Sequence, residues 1–440
     1  MAPRDRPFWD RDAETIARRD LEALQYQRLR DLVERTWAAN ADLKTFWSRS
    51  GFSPDRLRSL DDLRRIPLID KHIIHERPPS ILQQQLPWER IRAIHAATSS
   101  STDIIPVTVT EKDLADWGER NARSLWMVGV RPGDLLMNSF RFGLSTGGFG
   151  FHEGARRLGA CNVDVGPGQT DLKVSLVTEF PVSVLVMMPS YGLYLAARLA
   201  ESGVDMARTS LRLGLFGAEP YTPEIRDAIE KGLGITAYNE YGMNELLGPG
   251  VACECPERAG LHIWADHFLV ECIDPESGEA VSDGEEGELV FTWLTSEGMA
   301  IVRYRSHDRA TLTREPCACG RTHPRMGWVS GRTDEALSVG GYVVYPGRVE
   351  QILSWFPDIT RFRMVLTHRN ELDRLVIEAE TPYPYESDAA KQLASGIAHL
   401  LRSQLGVTAE IVTLPPGSLE GQIQRCAVLD HRSRTGKYHL

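Results

Sequence analysis

Apolar positions recur with a helical period over residues 14–38 (ETIARRDLEALQYQRLRDLVERTWA), with charged residues between them. That spacing predicts long surface helices. From 100 to 330 the pattern changes, and short apolar runs alternate with helical stretches. DLLMNSF is followed by GGFGFHEGARRLGA, VSVLVMM by PSYGLYLAARLAESG, and then comes LRLGLFGA. Strand–helix alternation of this kind implies parallel βαβ layers covered on both faces. After about residue 333 the texture shifts to ALSVGGYVVYPGRVEQILSWF, RFRMVLTHR and DRLVIEAET, then a helix expected over 387–404. This reads as an α+β unit of roughly a hundred residues, an ordinary domain size. SGRTDE (330–335) is polar, carries glycine and suits a hinge. The expected architecture is α/β: a large layered N-terminal domain with parallel sheets over 1–330, and a small mobile C-terminal α+β domain over 331–440.

Composition narrows the class. The 440 residues are 42% hydrophobic and 25% charged, as in ordinary globular proteins, and are too many for one domain. A net charge of −10 argues against nucleic acid as the partner, because phosphate neutralisation needs a basic face. No apolar run reaches membrane-spanning length, and MAPRDRPFWDRDAET has no signal-peptide core. The seven cysteines are not spaced as a secreted disulfide framework, so a reducing cytoplasm is expected.

Two segments carry candidate chemistry. Residues 92–106 (RAIHAATSSSTDIIP) place small hydroxyl residues between two predicted strands, where backbone N–H and hydroxyl donors could surround a triphosphate. Ser99, Ser100, Ser101 and Thr102 are the candidate phosphate contacts. A phosphate loop normally carries Gly for close approach and Lys for charge; here Ser99 and Thr102 stand where glycines are expected, and Asp103 where the lysine is. The second segment is a pair of soft-ligand clusters. Cys253-x-Cys255 with His262, and Cys317-x-Cys319, favour a tetrahedral Cys₃His zinc site made of Cys255, His262, Cys317 and Cys319, with Cys253 as the alternative fourth ligand. With no open position, such a zinc would be structural. Cys161, Cys272 and Cys426 read as isolated core or strand residues.

LFGAEPYTPEIRDAIEKGLGITAYNEYGMNELLGPGVACEC (215–255) closely resembles the core of phenylacetate–CoA ligases, members of the adenylate-forming superfamily. The resemblance runs forward through 260–308, CACGRTHPRMG and SGRTDE, and back through 138–160 to the N-terminal helices, so it covers the chain. It implies an AMP-forming enzyme that makes an acyl-adenylate of an aromatic acid and passes the acyl group to CoA, a carrier-protein thiol or an amine. It implies ATP/AMP, magnesium and CoA as cofactors, a zinc site at the cysteine positions named above, and a homodimer. Gly217, Ala218, Glu219 and Pro220 would wrap the adenine edge. Glu240, Tyr241 and Gly242 would continue that site, with Tyr241 stacked on the purine. Glu245 would hold the magnesium, and Asn244 replaces a hydroxyl residue beside it. Asp308 would accept from the ribose hydroxyls with Arg332 nearby, and Asp334 would be the domain pivot. Phe140, Arg141, Phe142, Gly143, Gly147 and Pro249 fall where the aromatic-acid pocket would be. Arg141 could pair with a second anionic group or point outward, as strand neighbours do. His152 and Glu153 could serve proton transfer or simply start a helix.

Two departures from the family pattern concern activation. Asp103 replaces a cation beside the polyanion; at about 5 Å and an effective dielectric near 20, each unit of charge is worth roughly 3 kcal/mol before screening. In GSLEGQIQRCAVLDHR (417–432), Gln422 occupies the position of the lysine that stabilises the adenylation transition state. Losing a preorganised charge in a desolvated site lowers the rate by orders of magnitude. Lys437, in RTGKYHL, is the alternative cation. Other readings therefore stand beside ATP-dependent ligation. One is an acyl transferase working on a preformed adenylate or thioester, another is activation of an unusual substrate towards an amine, and a third is a non-catalytic homologue.

Overall fold

The computed structural model describes residues 6–69, 79–84, 86–98, 104–219, 221–333, 337–339, 342–344, 346, 349, 352–353, 355–369, 372–419, 426–430 and 432. Apart from 100–102 and 190–194, residues up to 333 form one compact unit and those from 334 a second.

The large unit opens with a single turn, α1 (Arg11–Glu14), and then α2 (Arg18–Ala39) and α3 (Ala41–Arg49). These are the N-terminal helices expected from 14–38. Leu21, Leu29, Leu32 and Val33 of α2 are buried along one stripe, as a helical apolar period requires. A two-stranded antiparallel hairpin follows, β1 (Ile91–Thr98) and β2 (Ile104–Thr110), and it leads into α4 (Glu111–Met127). Thr110 caps α4 through a reciprocal box: its side chain accepts from Asp113 N, and the Asp113 carboxylate accepts from Thr110 N at 3.0 Å.

The main sheet has twelve strands. β3 (Leu135–Asn138), β4 (Cys161–Asp164), β5 (Val182–Met187), β6 (Leu213–Gly217) and β7 (Thr236–Tyr241) pair in parallel. The helices between them are α5 (Gly147–Leu158), α6 (Thr170–Glu179), α7 (Pro189–Glu201) and α8 (Pro223–Leu233). β5 is buried at every position, the mark of a strand covered on both faces. The parallel layering expected through 330 stops at Tyr241. Beyond it, β8 (Ala252–Glu254), β9 (Leu261–Ile263), β10 (Phe268–Ile273), β11 (Glu286–Trp293), β12 (Tyr304–Thr313), β13 (Arg325–Met326) and β14 (Gly331–Arg332) continue the same sheet antiparallel. The reason lies in the connections: short loops without helices can turn an antiparallel strand but cannot cross over to a parallel one.

In the small unit, β15 (Leu337–Val339) and β16 (Tyr342–Val344) form a hairpin. β17 (Phe362–Arg369), β18 (Leu372–Glu380), β19 (Ala409–Leu414) and β20 (Cys426–Asp430) form a mixed sheet in the order β19–β18–β17–β20. The expected helix is α9 (Asp388–Leu405), capped by Ser387 and closed by Gly406 in the left-handed region. Phe362, Met364, Leu375, Ile377, Ile397 and Leu401 make this unit's own core. No helix among the described residues is long and apolar enough to cross a membrane.

Candidate nucleotide and acyl site, and candidate metal centre

Three strands of the large unit converge on one carboxylate. Tyr241, the last residue of β7, donates its hydroxyl to Asp308 Oδ2 at 2.6 Å. Arg332 on β14 donates from Nη1 to Asp308 Oδ1 at 2.6 Å and from Nη2 to the Ser306 carbonyl at 3.2 Å. The β12–β14 ladder sets Asp308 directly opposite Arg332. The Tyr241 ring stacks on Phe291 at 5.8 Å and 18°, and burial beside Asp308 raises its hydroxyl far above the usual phenol range. Gly217 closes β6 against β7 so tightly that a Cβ there would lie 2.1 Å from the Glu240 carbonyl oxygen. Ala218 follows in the left-handed region at φ 69° and exposed, with Glu219 half-buried beside it.

Glu240 is not brought into this network. It accepts from Gly250 N at 2.7 Å through Oε1 and is 3% exposed, and burial pushes it up to about 7. Gly242 packs against Gly248 and Pro249. Glu245 accepts from the Tyr304 hydroxyl at 3.1 Å, and burial raises its pKa. Asn244 is a junction: its Oδ1 accepts from Thr146 Oγ1 at 2.6 Å and its Nδ2 donates to the Ala96 carbonyl at 3.2 Å. It therefore ties β1 to the loop before α5.

The segment read as the acyl pocket divides in two. Phe140 turns into the core and stacks on Phe151 at 5.2 Å, with Gly147 beneath it. Phe142 is half-buried and meets Phe149 edge-on at 5.1 Å. Arg141 and Gly143 are exposed, in keeping with an outward arginine. Pro249 is held from α4: its carbonyl accepts from Trp117 Nε1 at 3.0 Å and Asn121 Nδ2 at 3.0 Å, while buried Arg120 donates to the Gly250 carbonyl at 3.2 Å. A Cβ on Gly150 would sit 2.6 Å from Pro249, so α5 approaches this wall only through glycine. His152 pairs with Asp164 at 2.5 Å and Glu153 with Arg156 at 2.8 Å, both on the surface.

Ser99, Ser100, Ser101, Thr102, Asp103, Pro220, Asp334, Gln422 and Lys437 lie outside the described residues. Trp117, Arg120, Asn121, Thr146 and Tyr304 line or brace the site although the sequence reading assigned them no role. Their link to it is a long-range hydrogen bond, which leaves no local pattern.

The ligand atoms of Cys255, His262, Cys317 and Cys319 all lie within 4.8 Å of one another. Cys255 Sγ is 3.7 Å from Cys317 Sγ, and Cys319 Sγ is 3.3 Å from His262 Nε2. His262 Nδ1 faces the His323 carbonyl at 3.3 Å, which directs Nε2 into the cluster as an outer-shell acceptor does around a bound metal. Cys253 is buried elsewhere, with its thiol against the Glu254 carbonyl. Three thiols and one imidazole nitrogen, close together and all buried except half-buried Cys319, fit tetrahedral zinc.

The AMP-binding enzyme family model matches residues 108–293, and the model of the AMP-binding enzyme C-terminal domain matches 341–432. The phenylacetate–coenzyme A ligase of Thermus thermophilus is 37% identical over 442 residues, covering 96% of this chain and 99% of that one. The enzyme of the same name from Escherichia coli is 34% identical, covering 96% and 98%. Among solved structures, a 2-hydroxyisobutyryl-CoA ligase in complex with 2-HIB-AMP and CoA superposes with a TM-score of 0.89 at 25% identity, covering 98% of this chain and 94% of that one. Fold and site thus define an adenylate-forming enzyme. The chain belongs to the phenylacetate–CoA ligase family of AMP-binding enzymes.

Proposed function

We propose that this chain is an AMP-forming ligase that activates an aromatic carboxylate with ATP and transfers the acyl group to CoA. The observation that carries it is the Tyr241–Asp308–Arg332 network, in a chain related to ligases over nearly its whole length. In the first half-reaction a substrate carboxylate oxygen attacks the α-phosphorus of ATP, the bond to the β-phosphate oxygen breaks, and pyrophosphate leaves. In the second, the CoA thiolate attacks the acyl carbon and AMP departs with the electron pair. Asp308, with one oxygen on Tyr241 and the other on Arg332, keeps lone pairs for the two ribose hydroxyls. The exposed edge after Gly217 faces the base. Glu245 is a half-buried carboxylate whose pKa is raised by desolvation, and a divalent cation there would favour its ionised form. Magnesium would supply neutralisation of phosphate charge at that point.

The test is AMP and pyrophosphate release from ATP across a panel of aromatic acids, with thioester formation on adding CoA. Silence with ATP together with acyl transfer from a synthetic acyl-adenylate would overturn adenylation. Gln422→Lys and Asp103→Lys, singly and together, are expected to raise pyrophosphate exchange about tenfold or more, because each restores a cation beside the phosphates.

The cysteine–histidine cluster supports a structural zinc. Protein purified without added metal is expected to carry about one zinc per chain, and Cys317→Ser to lose the metal and several degrees of thermal stability. Metal-free protein with unchanged melting would remove the zinc reading.

A further inference from the structure

β1 alternates sharply beside the acyl wall: Ile94 is 42% exposed, whereas His95 is 5% exposed. The His95 ring lies in the same aromatic cluster as the acyl segment. It is 5.5 Å from Trp117, edge-on, and 5.4 Å from Phe149, which in turn meets Phe142. Trp117 continues the cluster to Pro249 through its indole N–H. The imidazole faces the Leu144 carbonyl, which accepts from Ala96 N at 2.9 Å, and burial holds the ring's pKa below the ordinary value, so the neutral form predominates at pH 7. Its Nδ1 is fully buried and has no hydrogen-bond partner among the described residues. With Nε2 as the nitrogen left to face the Leu144 carbonyl, the neutral ring carries its proton there and Nδ1 keeps an unused lone pair.

The neighbouring donors are already committed. Trp117 Nε1 serves the Pro249 carbonyl, Asn121 Nδ2 the Trp117 and Pro249 carbonyls, and Thr146 Oγ1 serves Asn244. A buried acceptor left unpaired among apolar rings is unfavourable, and native interiors rarely keep one without a use. Phe149, half-buried, touches both the His95 ring and the Phe142 ring.

We infer that His95 is a specificity-determining residue of the acyl site, and that its Nδ1 accepts a hydrogen bond from a hydroxyl or amino group on the substrate's aromatic ring. The inference rests on the aryl-acid reading above and deepens it: the substrate class is a ring-hydroxylated or ring-aminated aromatic acid. A site built around an acceptor discriminates strongly, because an analogue lacking the donor leaves the acceptor unpaired, whereas a missing methyl group matters far less.

The experiment uses the full chain with ATP, magnesium and CoA. The substrates are an arylacetic acid, its ring-hydroxylated and ring-aminated forms, and ring-methylated forms of matching size. For at least one ring position the hydroxyl or amino form should exceed the methyl form in kcat/KM by about tenfold or more. His95→Phe should bring that ratio to about one whatever the absolute rates. His95→Gln, whose amide keeps both a donor for Leu144 and an acceptor, should hold the ratio within about threefold of the unaltered chain. A ratio near one at every ring position in the unaltered chain overturns the inference without any variant, and so does a high ratio that survives His95→Phe. If no acid is turned over, calorimetric binding of the same acids decides. Discrimination that disappears in His95→Phe sustains the role of His95 while removing the ligase reading, and equal binding of all forms removes the role of His95.

Discussion

Tyr241 and Glu240 are neighbours on β7, yet one joins the Asp308–Arg332 network and the other turns to Gly250 N, because consecutive strand residues face opposite sides. The family motif made both of them nucleotide-site candidates. Only the pleat separates them, and it becomes readable once the strand's register is known. The separation has a measurable consequence. Burial lifts Glu240 from its ordinary 4.5 to about 7 in the folded chain. The folded state keeps its proton where the unfolded chain has already lost it. This contribution is therefore complete below about pH 4.5 and is lost as pH rises through about 7. Glu240→Gln cannot ionise and should flatten the loss of stability between about pH 5 and about pH 8 by about 3 kcal/mol. Urea denaturation at the two pH values measures it; identical pH dependence in both proteins would assign the loss to other groups. Asp308 and Arg332 were legible as separate residues in SHD and SGRTDE. Their direct pairing across β12 and β14 was not, since a ladder is a three-dimensional fact.

At the level of elements, hydrophobic periodicity located β3, α5, β5, α7, β6 and α9 well, because each is a single run with one period. It did not show that the sheet turns antiparallel after β7, where strands are short and separated by turns rather than helices. Nor did it show that α4 braces Pro249, for which Trp117, Arg120 and Asn121 reach across more than a hundred positions. The junction of β6 and β7 is the element contact most sensitive to a small change. Gly217→Ala would drive a methyl group into the Glu240 carbonyl at 2.1 Å, and strand separation is the only relief. A loss of about 1–3 kcal/mol is expected, together with a raised KM for ATP. Chemical denaturation and initial-rate kinetics check both, and an unperturbed KM would show that the base edge is read elsewhere.

On the scale of the whole chain, the cysteine-rich loop also fastens the N-terminal segment. Arg321 donates to Glu14 Oε2 at 2.7 Å, with both side chains almost wholly buried, and His323 Nε2 meets the Ala13 carbonyl at 2.9 Å. Thr322 donates to the Ile16 carbonyl, and the Arg321 guanidinium covers the Phe8 ring. Removing one partner of a buried ion pair strands the other, so Glu14→Ala should destabilise the protein by about 3–5 kcal/mol. It should also open the first twenty or so residues to limited proteolysis. Equal melting and equal cleavage would mean that the segment is held by its aromatic contacts alone, such as Trp9 against Trp126.

That fastening has a consequence for biosynthesis. Glu14 leaves the ribosome 307 positions ahead of the arginine that receives it. At roughly 5–20 residues per second, the nascent segment waits about 15–60 s, with Phe8 lacking its arginine cover, before its berth has been translated.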